Sequence, residues 1–228
     1  MLAIIFQLHK ILLSMKILFK YDEDKDIDCL LSKGAGSINQ PGSKTKTYLA
    51  LEAFTSDVND RIKVREFVRK YIFDNKIQRE TLCISMQKNW DKVGVSFENR
   101  AEKIFGVQIS DTITSYLTII GRFPYNTKHR FFYVSTSTTN INGTAMHELW
   151  HFYTWEKFGE REMIRLGMNK YNDVKEALTI LLNLECLDLM NAKDFGYPQH
   201  QNLRKIIADT WLKTKNIEDT WYAACNAE

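Results

Sequence analysis

The chain has 228 residues, 44% of them hydrophobic, with 31 basic and 28 acidic residues for a formal net charge of +3. That suits one large domain or two small ones with an ample core, and the mixing of charge signs leaves no electrostatic footprint for nucleic acid. The four cysteines, Cys29, Cys83, Cys186 and Cys225, form no CxxC pair, so buried reduced thiols are expected rather than a zinc knuckle or a disulfide framework.

Residues 1–19, MLAIIFQLHKILLSMKILF, are apolar in short runs broken by Gln7, His9, Lys10 and Lys16. No run is long enough to span a bilayer and no small-residue cleavage site follows, so stable membrane insertion is not expected. Met15 opens MKILFKYDEDKD as a cytosolic start would. Residues 1–14 are therefore expected to be an upstream extension of the reading frame, and the location to be cytoplasmic.

Residues 16–21 alternate as a short strand, followed by a loop with Gly34, Gly36, Pro41 and Gly42. Over 48–102 the pattern is helical. Val58, Ile62, Phe67-Val68 and Tyr71-Ile72 recur at helical steps, and Arg61, Lys63, Arg65, Arg69 and Lys70 fill the gaps as a solvated basic face. Residues 115–120 and 130–136 are rich in β-branched and aromatic side chains and flank Gly121, Pro124 and Asn126, which predicts a hairpin with His129 solvent-facing in its turn. A polar connector over 137–143 leads into a helix that Asn142 or Thr144 can cap. After Gly159 and the charged Glu160-Arg161-Glu162, a second apolar helix is expected over 173–190, capped by Asn172 or Asp173. A break at Gly196-Tyr197-Pro198 precedes a last helix over 201–213. No internal repeat is visible.

The first of these apolar helices carries His147-Glu148-Leu149-Trp150-His151, the pattern HExxH. At ~3.6 residues per turn the two imidazoles stand one above the other and can reach one metal ion. Glu148, turned by about 100°, can address a water on that ion without ligating it. At this composition the motif arises by chance roughly 0.007 times per chain. Its neighbours, Ala145-Met146, Leu149-Trp150 and Phe152-Tyr153, make the helix apolar nearly all round, and buried His and Glu are costly unless ligated or paired. The competing reading is two core histidines bonded to backbone carbonyls, with Glu148 in an ion pair.

A hydrolytic zinc site takes three protein ligands and leaves a position open. The metzincin extension needs Gly three and His six residues after His151, where this chain has Thr154 and Lys157. Glu176, in Lys175-Glu176-Ala177-Leu178-Thr179, is the best third ligand, and Glu185 is its rival.

With two β-type runs, the HELWH helix, a connector and a helix carrying Glu176-Ala177, residues 116–182 resemble the gluzincins, the thermolysin-like clan of zinc metallopeptidases. The resemblance implies that His147, His151 and Glu176 ligate Zn2+, that Glu148 is the general base, and that a strand over 116–120 is an edge that aligns an extended peptide. It also implies a zincin-like α+β fold. A small mixed sheet with an edge hairpin would pack on the HExxH helix within residues 15–158, a mainly helical part would follow over 159–228, and one cleft would lie between them.

In thermolysin-like members an Asp four residues after the ligating Glu orients the first His, but Ile180 stands at that place. Thr179 and Asn183 are the polar residues nearest that face. The loop Phe195-Gly196-Tyr197-Pro198-Gln199-His200 lies where comparable enzymes hold an oxyanion donor, so Tyr197 and His200 are candidates, with Tyr171 a further one.

The expected activity is hydrolysis of peptide or related amide bonds in a peptide or protein substrate. The alternative is a non-catalytic interaction protein whose zinc is structural, closed by a fourth ligand such as His200 or a cysteine. A repressor-cleaving protease would bring a DNA-binding helix-turn-helix, of which no convincing pattern is present. His9 falls in the extension, and the oligomeric state is not set by the sequence.

Overall fold

The computed structural model describes residues 15–33, 44–121 and 124–227. The extension over 1–14, with His9, and the loop over 34–42 lie outside the described residues. The chain divides into two compact units, each discontinuous in sequence. One is built from residues 16–90 and 111–141, the other from Met15, 91–110 and 142–227. The boundary expected at 158/159 falls inside the second unit, because the HExxH helix belongs with the C-terminal helices rather than with the sheet.

The first unit holds β1 (Lys16–Lys20), α1 (Glu23–Lys33), α2 (Lys46–Phe54), α3 (Arg61–Asp74), α4 (Arg79–Trp90), β2 (Thr112–Thr118), β3 (Tyr125–Asn126) and β4 (Phe131–Ser135). Its four-stranded sheet has the order β1-β2-β4-β3. The class is therefore α+β with a small mixed sheet. The hairpin expected between residues 115–120 and 130–136 does not form: β2 and β4 run parallel, with Tyr116 opposite Tyr133. The antiparallel partner of β4 is β3, with Tyr125 opposite Phe132. The true hairpin is tighter, turning through His129, whose amide donates to Asn126 Oδ1 at 2.9 Å, and Arg130 at φ 53. β2 lies between β1 and β4 and so is not the edge strand expected: Tyr116 has partners on both sides, while Leu117 and Thr118 pair with β4 alone and Ile119 and Ile120 lie beyond the strand. The missed signal was β4 itself, FFYVS, apolar without alternation as parallel strands buried on both faces tend to be.

Side chains protect the β1 edge and join the helices. Gln87 from α4 accepts from Phe19 N and donates to Ile17 O, occupying backbone groups of that strand that would otherwise template another chain. Ile27, Leu30, Leu51, Val64, Val68 and Ile120 are fully buried in one cluster, each worth roughly 1.5–3 kcal/mol in apolar burial. The basic stripe of α3 is not merely solvated. Arg61 pairs with Asp28 at 2.8 Å, Arg65 with Asp24 at 2.6 Å and Arg69 with Glu23 at 2.9 Å, so the acidic start of α1 complements it.

The second unit holds α5 (Gly94–Phe105), α6 (Ile141–Lys157), α7 (Gly159–Leu166), α8 (Met168–Leu178), α9 (Ile180–Glu185), α10 (Gln201–Thr214) and α11 (Ile217–Cys225). Phe97 and Phe105 of α5 pack on Trp150 and Tyr153 of α6, with Phe105 edge-on to Trp150 at 4.9 Å. Phe158 stacks on Trp221 of α11 at 4.3 Å. Because α6 begins at Ile141, Asn142 and Thr144 lie within its first turn.

The single helix expected over 173–190 starts earlier and is interrupted. It opens at Met168 after Gly167, so Asn172 and Asp173 are interior residues. It breaks at Thr179, whose hydroxyl donates to Glu176 O at 2.8 Å while Leu182 N reaches Thr179 O, a local tightening to three-residue spacing. Sequence reading also missed α11, which Asn216 caps by accepting from Asp219 N. Among the described residues no helix is long and apolar enough to cross a membrane.

In the first unit the buried Asp26 ties α1 to the end of β2, its Oδ1 accepting from Thr118 Oγ1 at 2.8 Å and Ile119 N at 3.0 Å. Burial outweighs these bonds and raises its carboxyl from 3.8 to about 6. A folded value above the unfolded one means that the neutral form's advantage is complete below pH 3.8 and is lost as pH rises through about 6. Above that, the buried charge costs up to about 3 kcal/mol. Asp26→Asn keeps the accepting oxygen without the charge. Urea titrations are expected to show it more stable than wild type at about pH 8 and close to it near pH 4; a variant weaker at the higher pH contradicts this assignment.

Candidate metal centre

The helical spacing of α6 stacks the His147 and His151 rings edge to face, centroids 4.7 Å apart. Glu176 enters from α8 and faces both. Its Oε2 lies 3.5 Å from His147 Nε2 and its Oε1 3.4 Å from His151 Nε2. One ligand atom from each residue falls within a 4.8 Å span, close enough for a single ion. The His147 and Glu176 side chains stay 23% and 18% exposed, so the group is reachable from solvent, whereas His151 is buried. The rival Glu185 is engaged elsewhere, accepting from Trp211 Nε1 at 2.6 Å and from Lys215.

The orienting carboxylate missing at Ile180 comes from beyond α9. Asp194 Oδ2 lies 2.7 Å from His147 Nδ1, which directs Nε2 of that ring toward Glu176. Asp194 is itself fixed on all sides. Asn183 brackets its backbone, donating to Asp194 O at 2.7 Å and accepting from Asp194 N at 2.8 Å, and Gly196 N donates to Oδ1. The buried Arg204 donates to Asp194 O at 2.6 Å and to Thr179 Oγ1 at 2.8 Å. Thr179 and Asn183, read as possible orienters of the first His, thus act one step further back.

Four carboxylate and imidazole groups pull one another's protonation apart. Burial disfavours a charged His147, but hydrogen bonds to Asp194 and Glu176 and the charge of Glu148 outweigh it and raise the ring to about 10. His151 moves the other way, to about 3, through burial and the charge of Lys175. Burial likewise opposes ionisation of Glu176, yet His151, His147 and Lys175 hold its carboxyl well below the usual range. Glu148, 5% exposed and with Oε2 unpartnered, is raised to about 8, chiefly by burial and further by Glu176 and Asp194 against His147 and Lys175.

The three candidate donors separate. Tyr197 is 45% exposed, and burial of its phenol, with the charges of Glu176 and Glu148, raises its pKa, so it stays a protonated donor in the field of the site. His200 is buried instead, its Nε2 at 3.0 Å from Asp173 Oδ1 and its ring edge-on to Tyr197 at 5.6 Å. Its placement beneath Tyr197 differs from the loop position expected for it, because the turn over 198–200 folds it inward at the start of α10. Tyr171 is buried between Trp155 and Trp221. Among the described residues no further His, Cys, Asp or Glu joins the His147, His151 and Glu176 group.

Sequence reading did not single out Lys175, Asp194 or Arg204. No family model, no curated protein and no solved structure matches the chain.

Gly196 offers a test of this support. It sits at φ +60, and a Cβ there would meet Arg204 Nη1 at 2.5 Å, Cζ at 2.8 Å and Cδ at 2.9 Å. Gly196→Ala must therefore strain the backbone and displace the guanidinium that holds Asp194 and Thr179. A loss of about 2 kcal/mol or more is expected in chemical denaturation. Gly121→Ala, with nothing within 4 Å of its Cβ, is the control expected to be near neutral. Equal stabilities of the two variants would contradict a tightly held Asp194 loop.

Proposed function

We propose that this chain is a cytoplasmic zinc metallopeptidase of the gluzincin type, with a zincin-like fold, hydrolysing peptide or related amide bonds. The observation that carries the reading is the convergence of His147, His151 and Glu176 within 4.8 Å from two helices. The donor set fits zinc: two imidazole nitrogens and a carboxylate oxygen, with a carboxylate behind one imidazole. Glu176 is ionised and His151 neutral, as ligation requires, whereas His147, whose pKa Asp194 and Glu176 raise in the metal-free protein, would have to give up its proton to a binding ion. Among the described residues three ligands rather than four come together, which favours an open hydrolytic position over a structural one. The four free thiols support a reducing compartment.

His147, His151 and Glu176 would hold a zinc ion, which would supply Lewis acidity toward the scissile carbonyl and a water. Glu148 Oε2, buried and unpartnered, takes the proton from the attacking water and passes it to the leaving nitrogen. Its raised carboxyl is matched to proton transfer near neutral pH. Tyr197 is assigned as donor to the developing oxyanion, because its phenol stays protonated and partly exposed while the Nε2 of His200 is engaged by Asp173. A peptide or protein is the substrate class.

Two substitutions separate metal holding from chemistry. Glu176→Gln is expected to lose zinc on dialysis much faster than Glu185→Gln, and equal retention by metal analysis would sink the ligand assignment. Glu148→Gln is expected to keep zinc while peptide-library hydrolysis falls by ~10² or more, the scale of a positioned general base. Wild-type turnover by that variant would rule out the mechanism.

A further inference from the structure

We propose that Lys175 is a built-in competitor of the metal ion: its ammonium neutralises Glu176 and holds the His147, His151 and Glu176 group assembled when no ion is bound, and thereby weakens metal binding. The inference rests on the metal-site reading above and adds a residue that the reading does not require.

Lys175 Nζ lies 2.9 Å from Glu176 Oε1, and its side chain is only 6% exposed. Lysine is almost never buried without a partner, since an unpaired ammonium loses its hydration with nothing in return. The pairing is not a by-product of helix geometry. Successive residues on a helix diverge by about 100° and do not face one another, so Lys175 meets Glu176 only by folding its long side chain inward. It does so on Oε1, the oxygen 3.4 Å from His151 Nε2. An ammonium and a metal ion therefore seek the same carboxylate oxygen.

The surrounding charges explain why a cation is held there. Glu148, Glu176 and Asp194 place three carboxyl groups around two imidazoles. Asp194 has His147 and Arg204 as partners. Glu176 is the carboxylate the metal would neutralise, and Lys175 neutralises it in the ion's place. A divalent ion entering beside that ammonium meets like charge, and the cost appears as lower affinity.

The test uses full-length protein with Lys175→Met and Lys175→Gln, the latter keeping a hydrogen-bond donor toward Oε1 should the former fold poorly. Zinc affinity is measured by competition with a chromophoric chelator, and the melting temperature is measured on metal-free protein. Both variants are expected to bind zinc at least tenfold more tightly than wild type and to melt at a lower temperature without it. An affinity unchanged or weakened, or a metal-free melting temperature that does not fall, overturns the proposal. Wild type that takes up no zinc would instead overturn the metallopeptidase reading, and this inference with it.

Discussion

The 2.7 Å hydrogen bond between His147 Nδ1 and Asp194 Oδ2 decides which nitrogen of that ring faces Glu176, and the arrangement of the candidate metal centre follows from it. A histidine can present either nitrogen, and without a partner on Nδ1 the ring is free to turn. Asp194 can serve because its loop is held at the backbone by Asn183, at the carboxylate by Gly196 and at the carbonyl by Arg204. Asn183 lies on α9 and Arg204 on α10, so the packing of these helices is translated into the orientation of one imidazole.

This arrangement buries several charges, and burial alone would neutralise them. Asp194 is held below the usual carboxylate range only because the His147 hydrogen bond and the His147 and Arg204 charges outweigh desolvation. Arg204 in turn has its own value lowered by burial. Removing one partner from such a set leaves the other as an uncompensated buried charge, a loss of about 3–5 kcal/mol. The apolar side of α6 gives the opposite kind of support: Leu149, Trp150, Phe152 and Tyr153 are fully buried, so the helix cannot rotate its histidines away without exposing them.

What could be read from the sequence follows the range of the forces involved. His147, Glu148 and His151 were legible because their relation is set by one turn of one helix, and Glu176 because it stands on the next long apolar segment. Lys175, Asp194 and Arg204 were not, because nothing local marks them: Asp194 is brought to His147 across 47 residues by tertiary packing. The class of the fold was legible, but the pairing of β2 with β4 was not. Glycine, proline and asparagine between two β-type runs suggest a hairpin, and only the unbroken apolar character of residues 131–134 argued for a parallel strand. The break at Thr179 was hidden for a similar reason, since a threonine in an apolar run reads as helix until its hydroxyl is seen to bond Glu176 O.

Two imidazoles and one carboxylate, and no sulfur, are the groups proposed to hold a metal ion in this chain. X-ray absorption at the zinc edge on the zinc-loaded protein tests this assignment most directly. A first coordination shell of nitrogen and oxygen at about 2.0–2.2 Å, with multiple-scattering features of two imidazoles, is expected. Sulfur scattering at about 2.3 Å, or the signature of a third imidazole, would contradict it.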